Sequence, residues 1–121
     1  MKTLKLLPAI AGALFSLLTL FAAPAIAHHG TAVSYDQNGW ITVKGTVNEF
    51  RWRNPHSALF LDITKESGDK VNYAIELPSP VLMSRSNGWT RATFKVGDTV
   101  EFRVHPSRTG ADVGECLFDC L

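Results

Sequence analysis

The feature that most constrains this chain is an alternation of apolar and polar side chains with a period of two, returning in short runs. Ile41, Val43, Gly45 and Val47 alternate with Thr42, Lys44, Thr46 and Asn48, the repeat of a strand with one buried face. This first strand continues through Phe50 and Trp52 until Asn54-Pro55 interrupts it, because proline donates no ladder hydrogen bond and restricts the residue before it. His56–Ile63 predicts a second strand, with Leu59, Leu61 and Ile63 set against Phe60 and Asp62. After the turn Glu66–Asp69, Lys70–Leu77 predicts a third, with Val71, Tyr73 and Ile75 on one face. Thr99–His105, entered through the turn Lys95–Asp98 and ended by His105-Pro106, predicts a fourth. Between the last two, a Ser79 cap, Pro80 at the first helical position and a stop at Asn87-Gly88 predict one short helix. Glu115–Leu121 is a candidate fifth strand. The order predicts a mainly β domain, a small five-stranded OB-like barrel. The alternative is an open twisted antiparallel sheet with the helix over one end.

The chain ahead of these runs has a different character. Lys2 and Lys5 precede an apolar run from Leu6 to Phe21, and Ala25 and Ala27 then form an A-x-A site. That is the layout of a secretory signal peptide removed after Ala27. An uncleaved anchor is the alternative, since spanning a bilayer needs about 20 apolar residues; Pro8, Gly12 and Pro24 interrupt the run, which favours cleavage. No cysteine lies near the site to carry a lipid. Removing the first 27 of 121 residues leaves a single domain at 28–121, begun by an irregular lead-in over 28–39 that ends in the turn Gln37-Asn38-Gly39. Loss of Lys2 and Lys5 from twelve Lys and Arg leaves ten against eleven Asp and Glu, so the formal charge falls from +1 to −1. The expected location is therefore the periplasm or the medium, with no stable membrane anchor after cleavage.

A set of motifs adds to this reading. His28-His29-Gly30, Tyr35-Asp36, Gly45-Thr46-Val47, Trp52-x-Asn54-Pro55-His56 and Glu76 stand in the first two thirds of the chain. Ser79-Pro80, Gly88-Trp89, Lys95-x-Gly97-Asp98 and His105-Pro106-x-Arg108-x-Gly110 follow. Together they resemble a family of small exported bacterial proteins of unknown function. The resemblance implies an exported small β domain and implies no activity. After Gly110 the chain reads ADVGECLFDCL and departs from the family pattern, which leaves open whether the last strand is shortened.

All four histidines, His28, His29, His56 and His105, lie beyond the cleavage point. In an OB arrangement the loops after strands one and four approach one binding face. His56, with Asn54 and Trp52, marks the first loop, and His105 and Arg108 mark the second, so the two imidazoles are candidates to converge there. Processing after Ala27 would free an amine on His28, and amine with imidazole is a good ligand pair for Cu(II). A copper ion is thus the suspected cofactor, with His28, His29, His56 and His105 as candidate ligands. The plainer reading makes the leading histidines a polar start and the other two turn or strand-end residues. A peptide, a sugar or a partner protein at the same loop face is the metal-free alternative.

Other constellations weigh less. Arg51-Trp52-Arg53 has the basic and aromatic mixture of single-strand nucleic-acid binders, but alternation points Trp52 away from both arginines. The near-neutral domain also lacks a broad positive field, so no nucleic-acid partner is expected. Trp40, Trp52 and Trp89 suit core or rim packing better than sugar stacking. Cys116 and Cys120 would stand about 13 Å apart in an extended strand, too far for a disulfide. They pair only if the C-terminal segment turns, and in an oxidising compartment a terminal disulfide or an intermolecular bridge is expected. No nucleophile elbow, zinc-protease helix, phosphate loop or dinucleotide fingerprint is present. Asp36, Glu49, Asp62 and Glu76 show no readable pairing. The chain therefore reads as a non-catalytic binding module.

Overall fold

The computed structural model describes residues 31–117 and residue 120. The expected signal peptide, His28 and His29 lie outside the described residues. Five strands, β1 (Ile41–Arg51), β2 (Ser57–Thr64), β3 (Lys70–Leu77), β4 (Thr99–Pro106) and β5 (Val113–Glu115), close into a barrel in the order β1-β2-β3-β5-β4. Every neighbouring pair is antiparallel except β3 and β5. This is the OB-type barrel, and the open sheet is excluded by its closure.

Alternation decides what fills the barrel. Val43 and Val47 of β1, Leu59 and Leu61 of β2, Tyr73, Ile75 and Leu77 of β3, and Phe102 and Val104 of β4 form one buried core. Inward residues are odd-numbered in β1 up to Val47, whereas Phe50 and Trp52 pack on the same core from even positions. A β-bulge reconciles the two phases. Val47 pairs with Leu61 and Glu49 with Phe60, so Asn48 is the extra residue. Gly45 lets β1 lie close against β2, since a Cβ there would meet the Asp62 carbonyl oxygen at 2.7 Å and Ile63 Cγ2 at 2.6 Å.

One end of the barrel is plugged by a helix, which we label α2 (Pro80–Asn87), and by the aromatic segment that follows it. Ser79 Oγ accepts the Leu82 N–H and Gly88 ends the helix in the left-handed region at φ 69°, as the sequence predicts. Met83 enters the core, and Trp89 and Phe94 stack edge-on at 5.0 Å between centroids.

The lead-in holds a four-residue helix, α1 (Thr31–Ser34), in addition to the predicted one. One expectation is corrected. The fifth strand is not Glu115–Leu121 but the three residues Val113–Glu115. Just beyond it the chain turns, and Cys116 and Cys120 form a disulfide with their Cα atoms 5.9 Å apart. The last strand is three residues long and still closes the barrel. Cys116 N–H donates to the Glu76 carbonyl and Arg103 N–H to the Cys120 carbonyl. The disulfide loop in this way joins β3 to β4 where β5 has run out.

Candidate functional site

The lead-in is bound along the outer wall of the barrel. Tyr35 bridges to Ser107, Asp36 N–H donates to the Pro106 carbonyl, and Arg108 N–H donates to the Ser34 carbonyl. Asp36 and Gly39 close the expected turn, with the Gly39 N–H on the Asp36 carbonyl at 3.1 Å. By this route the lead-in covers the outward faces of β3, β5 and β4.

Polar side chains gather under that cover. Ala58, Glu76, Glu115 and His105 form one row across β2, β3, β5 and β4. Each points away from the apolar interior by the same alternation that turns Ile75 and Val104 inward. Glu76 is the hub. One of its oxygens accepts the Tyr35 hydroxyl at 2.7 Å, and the other binds His56 Nδ1. Glu115 is only 1% exposed. Gln37 Nε2 donates to its Oε2 at 2.8 Å, while its Oε1 is buried with no hydrogen-bond partner among the described residues. The Tyr35 hydroxyl is held well above the usual phenol range, first by burial, then by its bond to Glu76 and the charges of Glu76 and Glu115. It therefore stays a donor at any physiological pH.

A cleft of about 230 Å³ opens beside this row. Its polar lining includes Glu76, Glu115, His56 and Ser79, and its apolar lining Pro55, Leu82 and Leu117. A wider recess of about 470 Å³ lies elsewhere, lined in part by Lys65 and Asp112, whose charges pair with each other.

The candidate residues fall as follows. His56 precedes β2 at the mouth of the cleft, its side chain half-exposed. His105 is buried within β4 rather than in the loop after it, its ring 3.8 Å from that of Trp40 and its Nδ1 on the Gly39 carbonyl at 2.8 Å. The two imidazoles bind different groups, His56 the Glu76 carboxylate and His105 the Gly39 carbonyl. Among the described residues no three His, Cys, Asp or Glu side chains form a set that could hold a metal ion. Asn54 is exposed beside a cis peptide bond to Pro55. Trp52 packs against Phe50 at 5.5 Å and the core. Arg108 donates from Nε to the Ala32 carbonyl at 2.9 Å, tying down the lead-in. The carboxylates read as unpaired have partners: Glu49 binds Arg51, Asp62 accepts from Asn48 and Asn72, and Asp36 accepts the Asn38 N–H.

Sequence reasoning singles out neither Gln37 nor Glu115 for the site, and it marks Tyr35 only as part of a motif, not as a partner of Glu76. Glu76 carried one usable sign, a carboxylate at the outward position of an otherwise apolar strand end. Ser57, beside His56, has a buried hydroxyl without a hydrogen-bond partner among the described residues. It shares the inward face of β2 with Leu59, so the pair makes no serine–histidine dyad. No helix among the described residues is long and apolar enough to cross a membrane.

A family of unknown function, DUF6152, matches residues 16–116. The chain belongs to that family. The match takes in the lead-in, all five strands and Cys116, so every residue of the cleft except Leu117 falls inside the family's extent. No curated protein and no solved structure matches the chain.

Proposed function

We propose that the domain is an exported, non-catalytic binding module that takes its ligand at the cleft beside His56, Glu76 and Glu115. The observation that carries this reading is the Oε1 atom of Glu115. A buried carboxylate oxygen without a donor is costly, and here it belongs to a residue that lines an open cleft. A ligand that brings a donor removes that penalty. Mapping is the direct test: amide shifts of labelled protein against a set of small amines, sugars and peptides should concentrate on His56, Glu76, Glu115 and Leu117. Shifts spread evenly over the barrel would refute it.

A second reading, Cu(II) binding by the matured N-terminus, is favoured by a separate observation. Metal-ligating histidines usually give their other ring nitrogen to a carboxylate or carbonyl, and His56 Nδ1 is engaged by Glu76. Its Nε2 is then the nitrogen for a ligand, joined by the amine and imidazole of His28; His29 is a spare ligand, and buried His105 is the weaker partner. Seven steps lead from His28 to Tyr35; three can extend about 3.3 Å each and the four-residue helix adds about 1.5 Å per residue, a reach of up to roughly 16 Å. Cu(II) titrated into protein beginning at His28 should bind far tighter than into the same protein with one alanine added in front, because that alanine turns the amine into an amide. Equal affinity rejects the copper set. Mass spectrometry of periplasmic protein beginning at His28 would establish export; a membrane-bound chain retaining Met1 would reject it.

A further inference from the structure

We propose that the cleft at the end of β3 and β5 recognises a basic side chain, Lys or Arg, of a partner polypeptide. This rests on the cleft being the ligand site and names the class of group it takes. Two carboxylates reach it from adjacent strands, since Glu76 and Glu115 are Cα partners in the parallel pairing. Glu76 has both oxygens engaged, by Tyr35 and His56, so it contributes charge and orientation. Glu115 contributes the acceptor, because its Oε1 is fully buried and has no partner among the described residues. Among those residues Arg51 pairs with Glu49 and Lys65 with Asp112, and His56 binds Glu76; none of them neutralises Glu115.

The walls suit a cation carried on an alkyl stem. Pro55, Leu82 and Leu117 line the way in, and long basic side chains bury their methylenes along such surfaces while the charged head seeks a polar partner. Leu82 and Leu117 are 41% and 39% exposed, and Val81 on the same helix is 55% exposed. That apolar rim extends past the cleft. A free amine would leave it in water, whereas the residues flanking a basic side chain in a polypeptide would cover it. An anionic ligand meets two carboxylates, and a neutral donor satisfies Oε1 but leaves the charge unanswered.

The probe is a short capped peptide, acetyl-Leu-Arg-Leu-amide, compared with its citrulline and norleucine counterparts and with free agmatine, by amide shifts and calorimetry on the full domain. The arginine peptide should shift Glu115, Leu82 and Leu117, and bind at least about 10-fold tighter than the citrulline peptide, the usual worth of a charge-assisted bond. Binding should weaken with added salt. Glu115→Gln should abolish the preference for arginine. Should that variant fold poorly, the exposed position Leu82 gives a sign test: Leu82→Glu strengthens and Leu82→Lys weakens binding of the arginine peptide. Citrulline or norleucine peptides that shift the same residues as strongly would overturn the charge class while leaving the cleft a ligand site. Agmatine binding as tightly as the peptide would overturn the polypeptide assignment. Absence of cleft shifts with every probe would overturn both the inference and the reading beneath it.

Discussion

Glu76 and Glu115 are Cα partners across the one parallel pairing of the barrel, which sets two outward carboxyl groups on neighbouring strands. Glu76 is compensated by two donors, whereas Glu115 has one bond from Gln37 and one oxygen without a partner among the described residues. A buried carboxylate oxygen left without a donor costs stability. Glu115→Gln keeps the shape, removes a charge beside Glu76 and supplies an amide donor. The variant is expected to be more stable than the parent by about 1 kcal/mol, a rise of roughly 4–8 °C in melting temperature for a domain of this size. Calorimetry checks it; a lower melting temperature would mean that the charge of Glu115 is compensated inside the domain.

Gly45 is expected to be a sensitive position of β1. An alanine Cβ there stands 2.7 Å from the backbone oxygen of Asp62, and a strand backbone paired on both sides cannot give way as a side-chain tip can. Gly45→Ala should lose about 1–3 kcal/mol, the usual range for overpacking. Thr46→Ala, at the next and exposed position, should stay within about 0.5 kcal/mol. Urea midpoints of the two variants provide the comparison.

The barrel was legible because alternation, turn residues and helix caps all point the same way, and β3 and α2 fall on their predicted residues. The bulge was legible in principle, since the apolar phase moves from odd to even positions between Val47 and Phe50. What the chain hid was the outer wall. Tyr35 and Glu76 are 41 positions apart, and Gln37 and Glu115 are 78 apart; these meetings depend on the lead-in crossing strands in a register that no local pattern encodes. His105 misled for a related reason. A histidine before proline reads as a loop start, but β4 runs through Pro106 and the Trp40 ring covers the imidazole.

The disulfide closes a loop of five residues, yet it is expected to matter more than that length suggests. Chain entropy alone gives about 2 kcal/mol for so small a loop. Both cysteines are also part of the core, each 4% exposed, and the Cys120 carbonyl accepts from Arg103. Reduction should therefore lower the urea midpoint by more than the entropic figure and speed hydrogen exchange at Arg103 and Cys116. The double variant Cys116→Ala with Cys120→Ala should be less stable still, since it removes apolar volume as well. Exchange at Arg103 left unchanged on reduction would mean that the loop holds its place by packing alone.

Alkaline pH offers a test of the outer wall and the interior together, because the chain has two tyrosines and both are held above the ordinary phenol range. Burial raises Tyr35 first, followed by its bond to Glu76 and the nearby carboxylates. Burial also raises Tyr73, to about 12, with the charge of Asp112 adding to it. In the unfolded chain both titrate near pH 10. Between that pH and their folded values the native state keeps protons that the unfolded state has released, so stability falls as pH rises. The contribution is fully present below pH 10 and is lost progressively above it, with a limiting slope of roughly 2.7 kcal/mol per pH unit for two such groups. Phenolate absorbance of the native protein should therefore stay flat through pH 10 and rise only as the domain unfolds, in step with the loss of near-ultraviolet circular dichroism. Tyr35→Phe should halve that slope and cost about 1–2 kcal/mol at neutral pH by leaving a Glu76 oxygen without its donor. A phenol that titrates near pH 10 in the folded protein would show that the lead-in does not hold Tyr35 against the barrel in solution.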